Sequence, residues 1–60
     1  MCEVKEITQA QAIEIIETRQ PLGMFYHKED GIYVGIDNTD GQAWTEEFPT
    51  IDECISWLKT

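Results

Sequence analysis

Apolar residues recur at two different spacings along the chain, and these spacings separate helices from strands. In the stretch ITQAQAIEIIETRQP, Ala12, Ile13 and Ile16 recur at helical spacing, which predicts a first helix. Thr8 and Gln11 match a capping box at its start. A proline cannot continue a helix and disfavours helical backbone in the residue before it, so the first helix is predicted to end near residue 19, ahead of the proline at 21.

A second helix is predicted in PTIDECISWLKT at the end of the sequence. Thr50 and Glu53 match another capping box, and Asp52 suits the positive end of the helix dipole. The apolar residues follow the i, i+3, i+4, i+7 spacing of a buried stripe. These residues are Ile51, Cys54, Ile55 and Leu58.

The middle of the chain, LGMFYHKEDGIYVGIDNTDGQAWTEEF, is typical of strands and is interrupted twice by Asp-Gly. Aspartate followed by glycine favours tight turns, because glycine adopts left-handed backbone without steric cost. A three-residue hairpin loop at each Asp-Gly predicts three antiparallel strands, at roughly 22–28, 32–38 and 42–48.

These loop lengths predict a register in which Lys28 pairs with Ile32, and Asn38 pairs with Gln42. One face of the sheet then collects Leu22, Met24, Tyr26, Ile32, Val34, Ile36, Trp44 and Phe48. Two helices with apolar stripes need such a face. The sequence thus predicts a single domain over residues 1–60, of the α+β class, in the order α-β-β-β-α. Its sheet is a three-stranded antiparallel meander with both helices packed on one face.

The opposite face of this predicted sheet is the candidate binding surface. Its candidate partner-binding residues are Phe25, His27, Tyr33, Gly35, Asp37, Thr45 and Glu47. Phe25 and Tyr33 would be exposed aromatics with acidic residues around them, a pattern typical of binding sites. Two other interpretations remain open. The aromatics could only shield the backbone of a small sheet, or the face could pair with a second copy in a homodimer.

Charge narrows the choice of partner. The chain carries twelve acidic and four basic residues, a formal net charge of −8. Phosphate contacts need lysine and arginine, so direct binding to nucleic acid or to an anionic membrane is disfavoured. No apolar run approaches the ~18 residues of a membrane span. The acidity favours either solubility alone or a basic protein partner.

Catalytic, metal and cofactor motifs are not evident in the sequence. Counting a calcium loop from Asp37 puts glycine fifth and Phe48 twelfth, whereas an EF-hand needs glycine sixth and glutamate twelfth. His27 is the one histidine, with no nucleophile or orienting carboxylate in a recognisable pattern. Cys2 and Cys54 lack the spacing of a zinc site. We therefore expect no enzyme activity, no metal and no cofactor.

The start of the sequence, MCEVKEITQA, is charged and has no apolar run like that of a signal peptide. This favours a cytoplasmic location, where cysteines are kept reduced. Cys2 and Cys54 are accordingly expected to be free thiols, with Cys54 as a small residue of the core.

Two resemblances bear on the function. The predicted element order is similar to that of double-stranded-RNA-binding domains, but those carry basic residues at the start of the second helix, where this chain has Asp52 and Glu53. The run GIDNTDGQAWTEEF, followed by IDECISWLK, resembles segments in small, functionally uncharacterised proteins of Gram-positive bacteria and their phages. That resemblance implies no particular activity.

Two functional hypotheses follow. The first is a small, non-enzymatic binding or regulatory protein of the bacterial cytosol, which contacts a protein partner through the open sheet face. The second is an acidic inhibitor that mimics nucleic acid and blocks a host or phage DNA-processing enzyme. Mimicry predicts competition with DNA and a strong weakening by salt, whereas an interface based on aromatic residues is less sensitive to salt.

Overall fold

The computed structural model describes residues 3–59 and confirms the α+β class. In chain order the elements are β1 (Val4–Glu6), α1 (Gln9–Thr18), β2 (Gly23–Glu29), β3 (Ile32–Asn38), β4 (Trp44–Phe48) and α2 (Ile51–Lys59). The strands form one mixed sheet in the order β1-β2-β3-β4. Cys2 lies outside the described residues.

The sheet has four strands, so the prediction of a three-stranded antiparallel meander is wrong by one strand. The additional strand, β1, is only three residues long and pairs with β2 in parallel, with Val4 beside Met24. Parallel neighbours need a long crossover connection, and α1 provides it. A strand of three residues that depends on such a distant partner leaves little periodicity in the sequence.

Both predicted helices form, and their starts follow the predicted capping. At the start of α1, the Thr8 hydroxyl accepts a hydrogen bond from the Gln11 amide at 3.1 Å, and the Gln11 side chain accepts one from the Thr8 amide at 2.9 Å. At α2, the Thr50 hydroxyl accepts from the Glu53 amide at 3.2 Å. Such caps satisfy backbone amides that no helical partner can reach.

The register of the β2–β3 hairpin differs from the prediction by one residue. Its loop has two residues, Asp30 (φ 48°) and Gly31 (φ 83°), and Glu29 pairs with Ile32. Positive φ at both loop positions is typical of the type I′ turn, whose twist matches that of antiparallel strands. The predicted pairing of Lys28 with Ile32 is therefore wrong.

The β3–β4 connection is one residue longer than predicted, whereas the β2–β3 loop is one residue shorter; a buried side chain organises the longer connection. Asn38 is fully buried; its Nδ2 donates to the carbonyl oxygens of Arg19 (3.0 Å) and Pro21 (2.9 Å), and its Oδ1 accepts from the Ala43 amide (3.1 Å). Ile36 consequently pairs with Thr45. Because one connection is shorter and the other longer by one residue, β4 keeps its predicted alignment with β2. Only β3 is turned over: its side chains point to the face opposite the predicted one.

The turned strand makes both faces of the sheet apolar, and each face holds one helix. On the α1 face, Ala12 and Ile15 pack against Phe25 and Ile36. On the α2 face, the buried cluster consists of Met24, Cys54 and Leu58. Met24 and Phe25 are consecutive in β2, so their side chains point to opposite sides of the sheet. The prediction that both helices pack on one face is therefore wrong.

Candidate functional site: the uncovered part of the α1 face

The seven candidate residues do not share one surface, because β3 is turned over. Phe25, His27, Thr45 and Glu47 belong to the α1 face, whereas Tyr33, Gly35 and Asp37 belong to the α2 face. Four of the seven residues thus face one side of the sheet and three face the other, so all seven cannot form one contact surface.

Burial changes the candidate set further. Phe25 is part of the core beneath α1, so the expectation that it is an exposed aromatic is wrong. Gly35 is buried beneath α2, and Tyr33 is partly buried and packs against the cluster on that face. Asp37 is partly buried on the same face, where its carboxylate accepts hydrogen bonds from the Thr39 amide and hydroxyl. Among the seven residues, these findings leave only Thr45 and Glu47 in the exposed class.

His27 is also not the surface residue that we expected. Its side chain is 5% exposed and lies beside Val34 of the neighbouring strand. Its Nδ1 atom has no hydrogen-bond partner within residues 3–59. A general base must reach a substrate proton, and a buried imidazole in this setting does not offer that access.

The two helices cover their faces unequally. The contacts of α2 are mainly with β3 and β4, whereas those of α1 are mainly with β2. On the α1 face, Thr45 and Glu47 of β4 are therefore exposed, and Val34 of β3 is only partly buried. The prediction of a wholly open face is therefore wrong, and only the parts of β3 and β4 that α1 leaves uncovered are open.

One flank of α1 borders this uncovered area with apolar side chains. Ala12 and Ile15 face the sheet, while Ile13 and Ile16 are 50% and 42% exposed. Glu17 follows Ile13 by four residues, so it lies on the same flank one turn later. We call the surface formed by Ile13, Ile16, Glu17, Val34, Thr45 and Glu47 the open shelf.

The orientation of α1 follows from contacts on its two sides. Gln11 and Glu14 line a groove together with Lys5 of β1, so that flank of the helix points toward β1. The opposite flank, with Ile13 and Ile16, points toward β3 and β4.

The end of α1 supports the same orientation. Arg19 Nη1 donates to the carbonyl oxygens of Gly41 (3.2 Å) and Gln42 (2.8 Å) in the β3–β4 loop, while Arg19 Nε donates to that of Ile16. Arg19 thereby holds the end of α1 against the β3–β4 loop, next to the start of β4.

The groove on the other flank of α1 is a weaker candidate site. Its volume is about 260 Å³, slightly below the ~300 Å³ at which small-molecule sites usually begin. It is lined by Lys5, Ile7, Gln11, Glu14, Ile15, Gln20, Pro21 and Phe25. Ile15 and Phe25 belong to the core, so its floor has a structural role already.

Two further exposed apolar side chains lie outside the open shelf. Trp44 is 59% exposed at the start of β4, beside Asp37, and Leu22 is exposed just before β2. The sequence pattern had assigned Trp44 and Leu22 to the buried face. They provide a useful comparison with the open shelf, because they offer exposed apolar area that does not belong to it.

The comparisons with known proteins leave the geometry as the basis for a function. No protein-family model, curated protein or solved structure matches this chain. Within residues 3–59, neither helix is long and apolar enough to cross a bilayer. The same part of the chain contains no cluster of three or more histidine, cysteine or acidic residues that could hold a metal ion.

Proposed function

We propose that the protein is a small, non-enzymatic binding protein that contacts a protein partner through the open shelf. The observation that carries this proposal is the pair of half-exposed isoleucines, Ile13 and Ile16, beside an uncovered strip of sheet. Apolar area with a polar rim is typical of interaction sites. The acidic residues of the rim, Glu17 and Glu47, favour a basic partner.

The test is affinity capture from a lysate of the source organism with matched variants. Ile13→Ala with Ile16→Ala removes apolar area from the shelf, and Leu22→Ala with Trp44→Ala removes exposed apolar area outside it. Both pairs change exposed side chains, and circular dichroism checks that each variant is folded. We expect the shelf variant to lose the partner and the other variant to retain it. Retention of the partner by the shelf variant would contradict the proposal.

The same experiment separates this function from mimicry of nucleic acid. A mimic acts through its charges, so capture would be lost in high salt, would compete with added DNA and would be unaffected by the isoleucine substitutions. Contact through Ile13 and Ile16 instead leaves a component of binding that persists in salt. Loss of capture through Ile13→Ala and Ile16→Ala without competition by DNA supports the shelf.

A further inference from the structure

We propose that the open shelf binds a basic amphipathic helix supplied by the partner. This inference rests on the proposed function and specifies the kind of partner. It is carried by three features of the shelf: its width, the position of its apolar side chains and the charge along its two sides.

The width of the shelf fits one helix. Two adjacent strands, β3 and β4, span about 10 Å including their side margins, which is close to the diameter of a helix with its side chains. On the α1 face, the uncovered strip of β3 comprises only Ile32 and Val34, because Ile36 is fully buried beneath α1.

The chemistry of the shelf specifies the pattern of the partner. Val34 forms an apolar floor and Ile13 and Ile16 form an apolar wall. Glu17 lies above the wall on α1, and Glu47 lies on β4 at the other side. A helix with apolar residues at i, i+3, i+4 and i+7, flanked by lysine or arginine, places its apolar stripe on the floor and its cations beside both glutamates.

A second copy of the chain fits the shelf less well. Self-association would bring Glu17 and Glu47 against the same acidic rim, between molecules that each carry a net charge of −8. The shelf is formed by only six residues, whereas a stable interface buries about 800 Å² and roughly 20–30 residues on each partner. A long helix of another protein can continue beyond the shelf, so this limit does not apply to it.

An extended peptide is the other competing occupant. No strand in the described part of the chain lies beyond β4, so β4 offers an unpaired outer edge. Strand addition there would use backbone hydrogen bonds of residues 44–48 and would leave Ile13 and Ile16 without a contact. The two modes therefore predict different peptides and different contact residues.

The experiment uses the whole chain and two synthetic peptides of about 14 residues. Both contain the same numbers of leucine and lysine residues. One has leucine at helical spacing and the other has leucine at alternate positions. Calorimetry gives the Kd of each peptide, and NMR chemical shifts identify the residues of the protein that respond.

We expect the helical peptide to bind and to shift the resonances of Ile13, Ile16 and Val34. The Ile13→Ala, Ile16→Ala variant should weaken its Kd at least about tenfold. Glu17→Gln with Glu47→Gln should weaken binding and reduce its dependence on salt. The matched variant outside the shelf, Leu22→Ala with Trp44→Ala, should change the Kd by less than about twofold.

Three results would overturn this proposal. The first is a helical peptide that fails to bind at about 1 mM. The second is a preference for the alternating peptide with shifts along residues 44–48, which would assign strand addition at β4. The third is concentration-dependent self-association that shifts the shelf residues in the absence of peptide, which would assign a second copy. Each result leaves the proposed function standing, provided that capture of the partner still depends on Ile13 and Ile16.

Discussion

Substitution of Gly35 by alanine tests how closely α2 approaches the sheet. A Cβ atom at this position would lie 3.0 Å from the Cys54 Sγ and 3.2 Å from two ring carbons of Trp57. Gly35 lies in β3 and its φ is not positive, so the backbone itself accepts alanine. The expected cost therefore comes from packing and not from backbone conformation.

The magnitude is the difference between two opposing effects. Overpacking of a well-packed core costs about 1–3 kcal/mol. Alanine has less backbone freedom than glycine in the unfolded chain, which returns about 0.5–1 kcal/mol. We expect Gly35→Ala to lower the free energy of unfolding by about 1–2 kcal/mol. In a domain of this size, 1 kcal/mol corresponds to about 4–8 °C in Tm.

The assay is urea unfolding, followed by circular dichroism and by the fluorescence of Trp57 in a Trp44→Phe background. In a Cys54→Ala background one of the close contacts is absent, so Gly35→Ala should cost less there. Gly31→Ala is the control, since nothing lies within 4 Å of its Cβ but its φ is 83°. That variant should lose stability through its backbone, independently of Cys54. Greater stability of Gly35→Ala than of the unmodified protein, or an equal cost in the Cys54→Ala background, would refute the close approach of α2.

Three further predictions concern buried polar groups. Asn38→Ala removes the three hydrogen bonds of a fully buried side chain, so urea unfolding should show a loss of about 3 kcal/mol; a loss below about 1 kcal/mol would contradict the role of this side chain. His27→Leu removes a buried nitrogen that has no partner within residues 3–59, and its free energy of unfolding should be unchanged or higher by up to about 1 kcal/mol; clear destabilisation would show that the imidazole makes a favourable contact. Burial raises the pKa of the Cys54 thiol above 9.0, and burial together with Glu6 raises that of Tyr26 above 10.0. The unfolded chain releases these protons first, so stability should fall as the pH rises through about 9 and beyond, and the fall should begin later in Cys54→Ala; an identical pH profile in that variant would contradict the assignment to the thiol.

Local signals account for the parts of the fold that the sequence predicts correctly. Thr8 with Gln11, and Thr50 with Glu53, are capping pairs whose chemistry acts within one helical turn, and both helices begin there. Asp-Gly marks both turns for the same reason. The register was wrong because Asp30-Gly31 suits a two-residue loop as well as a three-residue loop.

The longer β3–β4 loop depends on Asn38, whose partners Arg19 and Pro21 are distant in the sequence. The strand β1 likewise depends on β2, across the whole of α1. Contacts of this kind leave no periodic signal near the residues that make them. The contacts of Asn38 set the length of the β3–β4 loop, and this length helps to determine which side chains of β3 face each helix. The positions of the candidate residues follow from that orientation.

The candidate site was predicted only in part for the same reason. Thr45 and Glu47 are exposed on an open part of the sheet, as expected, because β4 keeps its predicted orientation relative to β2. Ile13 and Ile16 were missed because they were assigned to the buried stripe of α1, which in fact uses Ala12 and Ile15. The segment AIEII could have indicated this exposure, because one narrow helical stripe cannot bury three isoleucines within four positions.

The sheet separates the two cores, and this has a consequence for how the molecule can change. Side chains on the α1 face and those on the α2 face belong to different clusters. Substitutions at sites without shared partners usually have additive effects on stability. Exposed residues on the flank of α1 can therefore be substituted, by selection or by a protein engineer, without disturbing the cluster on the α2 face. Within a chain of only 60 residues, one side of the sheet can specialise while the other remains the scaffold.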